Sequence, residues 1–194
     1  MPDESGEGAG DRIPAERADV LRTLSRHGIS RAVGAVLWTA AVDLTRRTRR
    51  RGTEHAVTLD ISDGQAVGRM LTGDASRTDL TPHLLALQPD HRYVQLHTHP
   101  TSPSFSALDV RILADHPPIG TMIAVGVDGT WYVISRQSDT NLRDRRVLYD
   151  AFLNELIRLQ QAGAARSDIS HRVMEHVADQ HSLRYDRVTG PADA

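Results

Sequence analysis

Leu96-His97-Thr98-His99-Pro100-Thr101-Ser102-Pro103-Ser104-Phe105-Ser106-Ala107-Leu108-Asp109 joins a strand pattern to a helix pattern and concentrates the reactive side chains of the chain. Arg92 to His97 reads as a strand, which projects Tyr93, Gln95, His97 and His99 from one face. Two imidazoles at i and i+2 can then reach one metal ion. A Pro- and Ser-rich loop follows. Ser106 and, three residues on, Asp109 read as the N-cap and third position of a helix over 106–114, with the carboxylate able to turn back towards the strand. Two histidines and one aspartate leave a fourth metal position for water, which marks an open catalytic site rather than a closed structural one.

The flanking sequence sets this motif in an α+β (α/β) frame. Ala15 to about Arg50 has helical periodicity, broken near His27-Gly28 and restarted with Ser30 as N-cap. Val33, Val36, Leu37, Ala40, Ala41 and Leu44 share one stripe and are expected to be buried. Arginines 46, 47, 49, 50 and 51 crowd the helix end, where positive charge suits the macrodipole. A solvated helix terminus and a docking patch for an acidic partner or nucleic acid both fit that cluster. From residue 53 the period becomes two: a strand over 53–61, a turn at Ser62-Asp63-Gly64 and an extended run over 66–71 make a hairpin. Leu80 to Leu87 is expected as a short helix stopped by Pro89. Asp128-Gly129, between Thr121–Val127 and Thr130–Ser135, signals a second hairpin. Helices over about 142–162 and 167–182 and a short extended segment over 183–188 follow. One domain over 15–188 is expected, with a disordered polar tail at 1–14 and a second tail at 189–194.

Composition removes several classes of function. The 194 residues carry a net charge of −2, so nothing draws the whole chain to nucleic acid or an anionic membrane. No stretch approaches the roughly 18 apolar residues of a membrane-crossing helix. Met1 to Gly10 lacks the basic and apolar regions of a signal peptide, and a cytoplasmic location is expected. There is no cysteine, which excludes disulfides, thiolate ligands and a cysteine nucleophile. All 23 basic residues are arginine, in keeping with GC-rich codon usage or with a protein that avoids becoming a lysine-linked conjugate. His171 and His176 flank Glu175 but lie five apart, whereas metal-binding pairs on a helix lie three or four apart. His27, His55, His83, His91, His116 and His181 have no partner at ligand spacing and are expected at the surface or in hydrogen bonds. Trp131 and Tyr132 are expected in the core and at its rim.

The motif resembles that of the JAB/MPN/JAMM zinc metalloproteases, which runs from an upstream Glu to His-x-His-Pro, a loop and Ser-x-x-Asp. The resemblance covers roughly residues 50–136. It implies zinc held by His97, His99 and Asp109, with Ser106 helping to hold the developing oxyanion. It also requires a glutamate general base. Glu54 is the sole glutamate between Glu16 and Glu155, and it starts the strand over 53–61. Its role would be to take a proton from the attacking water and deliver it to the leaving amine. One departure is visible: six residues, Pro100 to Phe105, separate His99 from Ser106, where the family has seven.

The fold implied by the resemblance is a curved mixed sheet flanked by helices, with cytidine-deaminase-like layering and the zinc at the end of the central strands. Extra N- and C-terminal helices would be added to it. The implied activity is peptide or isopeptide hydrolysis of the deubiquitinase-like kind found in bacterial members. Its substrate would be a ubiquitin-like or sulfur-carrier-like protein or its conjugate. Only about ten residues separate Asp109 from the next strand, so a substrate clamp would have to come from the terminal helices or a partner protein. Two other readings stand beside this one. A catalytically silent MPN-like interaction scaffold fits the fold but not an intact ligand set. Metal-dependent nucleic-acid chemistry near the arginines would first show as salt-sensitive DNA binding. No membrane or nucleic-acid partner is expected, and the oligomeric state is left open.

Overall fold

The computed structural model describes residues 15–101, 103–137 and 145–189. The expected tail at 1–14 lies outside the described residues, as does that at 189–194 apart from Thr189. In chain order the elements are α1 (Ala15–Arg26), α2 (Arg31–Arg51), β1 (His55–Asp60), β2 (Leu71–Thr72), α3 (Thr81–Leu84), β3 (Tyr93–His99), α4 (Ala107–Asp115), β4 (Ile119–Gly126), β5 (Trp131–Arg136), α5 (Arg145–Gln161), α6 (Arg166–Gln180) and β6 (Leu183–Val188). The strands form one six-stranded mixed sheet in the order β2-β1-β3-β4-β5-β6. β3 and β4 run parallel, and every other pair is antiparallel. A parallel pair needs a crossover, and α4 supplies it. The class is α+β.

Local chemistry places the breaks. Gly28, with φ of 77°, ends the first helix, and Ser30 caps the second by accepting from Val33 N. The turn at Asp128-Gly129 joins β4 to β5, with Gly129 at φ of 84°. β3 is buried along its whole length because helices cover the sheet on both sides. On one side α1 and α2 bring Val20, Leu24, Leu37 and Leu44 against Val94, Leu96, Ile123 and Val133. On the other, α4, α5 and α6 bring Leu113, Leu148, Phe152 and Val173 against Met122, Ala124 and Ile134.

Three expectations need correction. Val36 is 44% exposed: the buried stripe of α2 runs through Val33, Gly34, Leu37, Ala41, Leu44, Thr45 and Thr48, and Val36 falls on its edge. The extended run over 66–71 pairs with β1 only at its ends, through a bridge from Leu59 to Ala66 and through Leu71–Thr72. Between those ends Gly68 is left-handed, with φ of 73°, and bends the chain off the ladder. The helix expected over 80–87 closes after four residues, Thr81–Leu84. Trp131 and Tyr132 are both core residues. No helix among the described residues is long and apolar enough to cross a membrane.

Candidate metal centre

His97 and His99 end β3, and Asp109 opens α4, so the parallel crossover folds the helix start back over the strand end. The ligand atoms of these three buried residues all lie within 4.8 Å of one another. His97 Nε2 is 3.5 Å from Asp109 Oδ1, and His99 Nε2 is 3.9 Å from Asp109 Oδ2. Donors bound tetrahedrally at about 2.0–2.1 Å sit roughly 3.3 Å apart, so the set is near closure on a small cation.

Each ligand is aimed by a second hydrogen bond. His97 Nδ1 pairs with Gln95 Oε1 at 2.9 Å, and His99 Nδ1 with the Pro103 carbonyl at 2.8 Å. With both Nδ1–H groups donating, both Nε2 atoms face the common point. Asp109 is fixed by a capping box: its Oδ2 accepts from Ser106 N at 2.8 Å and from Ser106 Oγ at 2.7 Å, while Asp109 N donates to Ser106 Oγ. That leaves Oδ1 turned towards His97. His97 Nε2 is buried with no hydrogen-bond partner, the condition a bound cation would relieve. The N, N, O donor set suits a borderline divalent ion.

Glu54 reaches the same place from the residue before β1. Its N–H donates to Asp74 O and its carbonyl accepts from Gly73 N, so the turn at 73–77 holds it. Asp74 stabilises that turn by accepting from Ser76 N, Ser76 Oγ and Arg77 N. Gly73 is required there, since a Cβ would strike the Arg77 backbone. The Glu54 side chain is buried, with Oε1 3.9 Å from His99 Nε2. A cavity of about 20 Å³, lined by Glu54, Thr78, His97, Ser106, Leu108 and Asp109, has room for about one water beside it.

The electrostatics follow from burial and close opposite charges. Burial, helped by Asp109 and Asp74 against a pull from His97, pushes the Glu54 carboxyl up to about 7. Burial, with His97 adding to it, lowers His99 to about 4. At His97 burial favours the neutral ring, but the Asp109 and Glu54 carboxylates outweigh it and raise its pKa. Burial also works against the Asp109 carboxylate, yet His97, His99 and the Ser106 hydroxyl hold it well below the usual carboxylate range.

All five residues singled out in the sequence, Glu54, His97, His99, Ser106 and Asp109, therefore meet at one site. Among the described residues they include the one group of three with metal-ligand geometry. His171 and His176 do not pair: His171 faces Tyr185 and Glu175, and His176 faces Glu155. Gln95, the Pro103 carbonyl and the 73–77 turn are the positioning groups the sequence leaves unassigned. The loop that presents Pro103 is itself tied down, with Ser104 N donating to Ser170 Oγ at 3.0 Å and Ser104 Oγ bonded to Tyr185 OH at 2.8 Å. No protein-family model matches the chain, and neither the curated proteins nor the solved structures include a match.

Proposed function

We propose that this protein is a zinc-dependent hydrolase of the JAB/MPN/JAMM type, cutting a peptide or isopeptide bond at the C-terminus of a ubiquitin-like or sulfur-carrier-like protein. The observation that carries this reading is the approach of a separate carboxylate to a complete ligand set. Glu54 Oε1 comes within 3.9 Å of His99 Nε2 from a different element, next to room for one water. A purely structural metal site has no use for a fourth, protonatable group beside an open position. The mixed sheet with helices on both faces, and the site at the end of a central strand, support this reading at the level of architecture alone. The chain also lacks lysine, and so has no side-chain amine to become an isopeptide acceptor itself.

His97, His99 and Asp109 would hold the zinc. When bound, it supplies Lewis acidity and makes water easier to ionise. Glu54 accepts the proton of the attacking water and returns it to the leaving nitrogen. Ser106 donates to Asp109 Oδ2 and so first orients a ligand; to stabilise an oxyanion its hydroxyl would have to rotate away.

The test is Glu54→Gln in the zinc-loaded protein, assayed on a ubiquitin-like fusion and on an isopeptide-linked conjugate. Zinc content should stay at that of the wild type, while turnover falls by roughly a hundredfold or more. Wild-type turnover with full zinc would remove Glu54 from the mechanism, and joint loss of zinc and activity would make it a ligand. If zinc-loaded wild type cuts neither substrate, the interaction-scaffold reading takes over.

A further inference from the structure

Across the sheet from His97 and His99, a second cavity of about 460 Å³ lies between α1, α2 and the β4–β5 turn. That is within the range of small-molecule sites, roughly 300–1,000 Å³. Its apolar wall is built on Trp38 and Trp131, which stack nearly parallel at 4° with ring centroids 5.7 Å apart, together with Val20, Val42 and Val125. Arg46, Arg49 and Arg50 line its α2 side, and Glu16 is the acidic residue of the lining. Arg49 is engaged, its Nε donating to Val127 O at 2.8 Å. Arg46 and Arg50 are exposed, lie four residues apart on one helix face, and make no ion pair among the described residues.

A solvated helix end accounts for the arginine charge. It does not account for the same arginines standing at the rim of an apolar cavity walled by two stacked indoles. Apolar wall and paired cations converge on one ligand chemistry. We propose that this cavity binds an organic anion with a flat apolar body, of the aromatic carboxylate class. The ring lies against the indole pair, and Arg46 and Arg50 take the carboxylate. No residue is shared with the metal set, so this site stands or falls apart from the hydrolase reading.

The experiment is calorimetric titration of the full chain, without added metal, with naphthoate, and with naphthalenemethanol as its uncharged counterpart. Both tryptophans of the chain line the cavity, so their two indole N–H signals in an NMR spectrum report the location. Saturable one-to-one binding is expected, with both signals shifting and the neutral analogue binding roughly tenfold or more weakly. The Arg46→Gln/Arg50→Gln variant should lose naphthoate affinity by about tenfold while keeping its melting temperature; either single variant serves if the double one is unstable. Absence of saturable binding, binding without indole shifts, equal affinity for the alcohol, or unchanged affinity in the arginine variants would overturn the proposal.

Discussion

At the scale of single residues, the candidate site depends on groups that never touch the metal position. Gln95 Oε1 holds His97 Nδ1–H at 2.9 Å, which fixes the tautomer and leaves Nε2 free to ligate. Gln95→Leu keeps the volume and deletes that acceptor. It also removes the buried, unpaired Gln95 Nε2, so the fold should survive. Zinc affinity measured by chelator competition should drop by about ten- to a hundredfold; an unchanged value would mean that the strand alone orients the ring. Ser106→Ala removes the N-cap of α4 and one of the two donors to Asp109 Oδ2. Denaturant unfolding of the metal-free protein should show a loss of about 1 kcal/mol, the usual worth of such a cap. The difference between these residues also explains what the sequence could disclose. His97, His99, Ser106 and Asp109 are legible because their chemistry follows from short-range periodicity. Gln95 lies on the same strand face, but its role requires a side chain reaching along the strand. The Pro103 carbonyl and the 73–77 turn act only after the chain has closed on itself.

At the scale of elements, α1, β5 and β6 are joined through one buried imidazole. His27 Nδ1 bonds Ser135 Oγ at 2.7 Å, His27 Nε2 bonds Asp186 Oδ2 at 2.9 Å, and Arg26 adds a contact to Asp186 Oδ1. Burial lowers the His27 pKa from 6.5 to about 4, with Arg184 and Arg26 assisting and Asp186 opposing. Between those two values the unfolded chain holds the proton and the folded chain does not. Stability is therefore full above pH 6.5 and is lost as the pH falls towards 4. His27's share of the loss should be of order 2 kcal/mol, read by denaturant melts near neutrality and near pH 5, and His27→Gln should reduce the slope, leaving the share of His99, which burial also lowers to about 4. An unchanged pH slope in that variant would place the acid sensitivity elsewhere. Elements of this kind are readable from sequence where a local signal ends them. Gly28 with Ser30, Ser106 with Asp109, and Asp128-Gly129 all mark real boundaries. Val36 and the 66–70 run are not readable in that way. The first is decided by which side α1 covers, and the second by a left-handed Gly68 that periodicity does not register.

At the scale of the molecule, the sheet separates two apolar cores, and the candidate centre sits where the parallel β3–α4–β4 crossover interrupts its covering. The α+β class is legible because the hydrophobic period switches between helical and strand values along the chain. The strand order is not, because pairing β6 beside β5 and β3 between β1 and β4 is decided by long-range packing. A cation at His97, His99 and Asp109 would cross-link β3 to α4, and those ligands are assembled only in the folded chain, so its binding energy adds to folding. Without it, His97 Nε2 has only the Asp109 carboxylate at 3.5 Å, and burial, with His97 adding to it, holds His99 towards neutrality. Zinc at about a hundredfold above its dissociation constant should therefore add about 2.7 kcal/mol. For a domain of this size that is a rise in melting temperature of roughly 5–10 °C over chelator-treated protein. The rise should grow with the logarithm of free zinc and vanish in His99→Ala, while the proposed role of Glu54 as base requires that Glu54→Gln retain it. A melting temperature indifferent to zinc in the wild type would show that these three side chains, though close enough, are not a metal site. A shift that survives His99→Ala would move the site elsewhere on the chain.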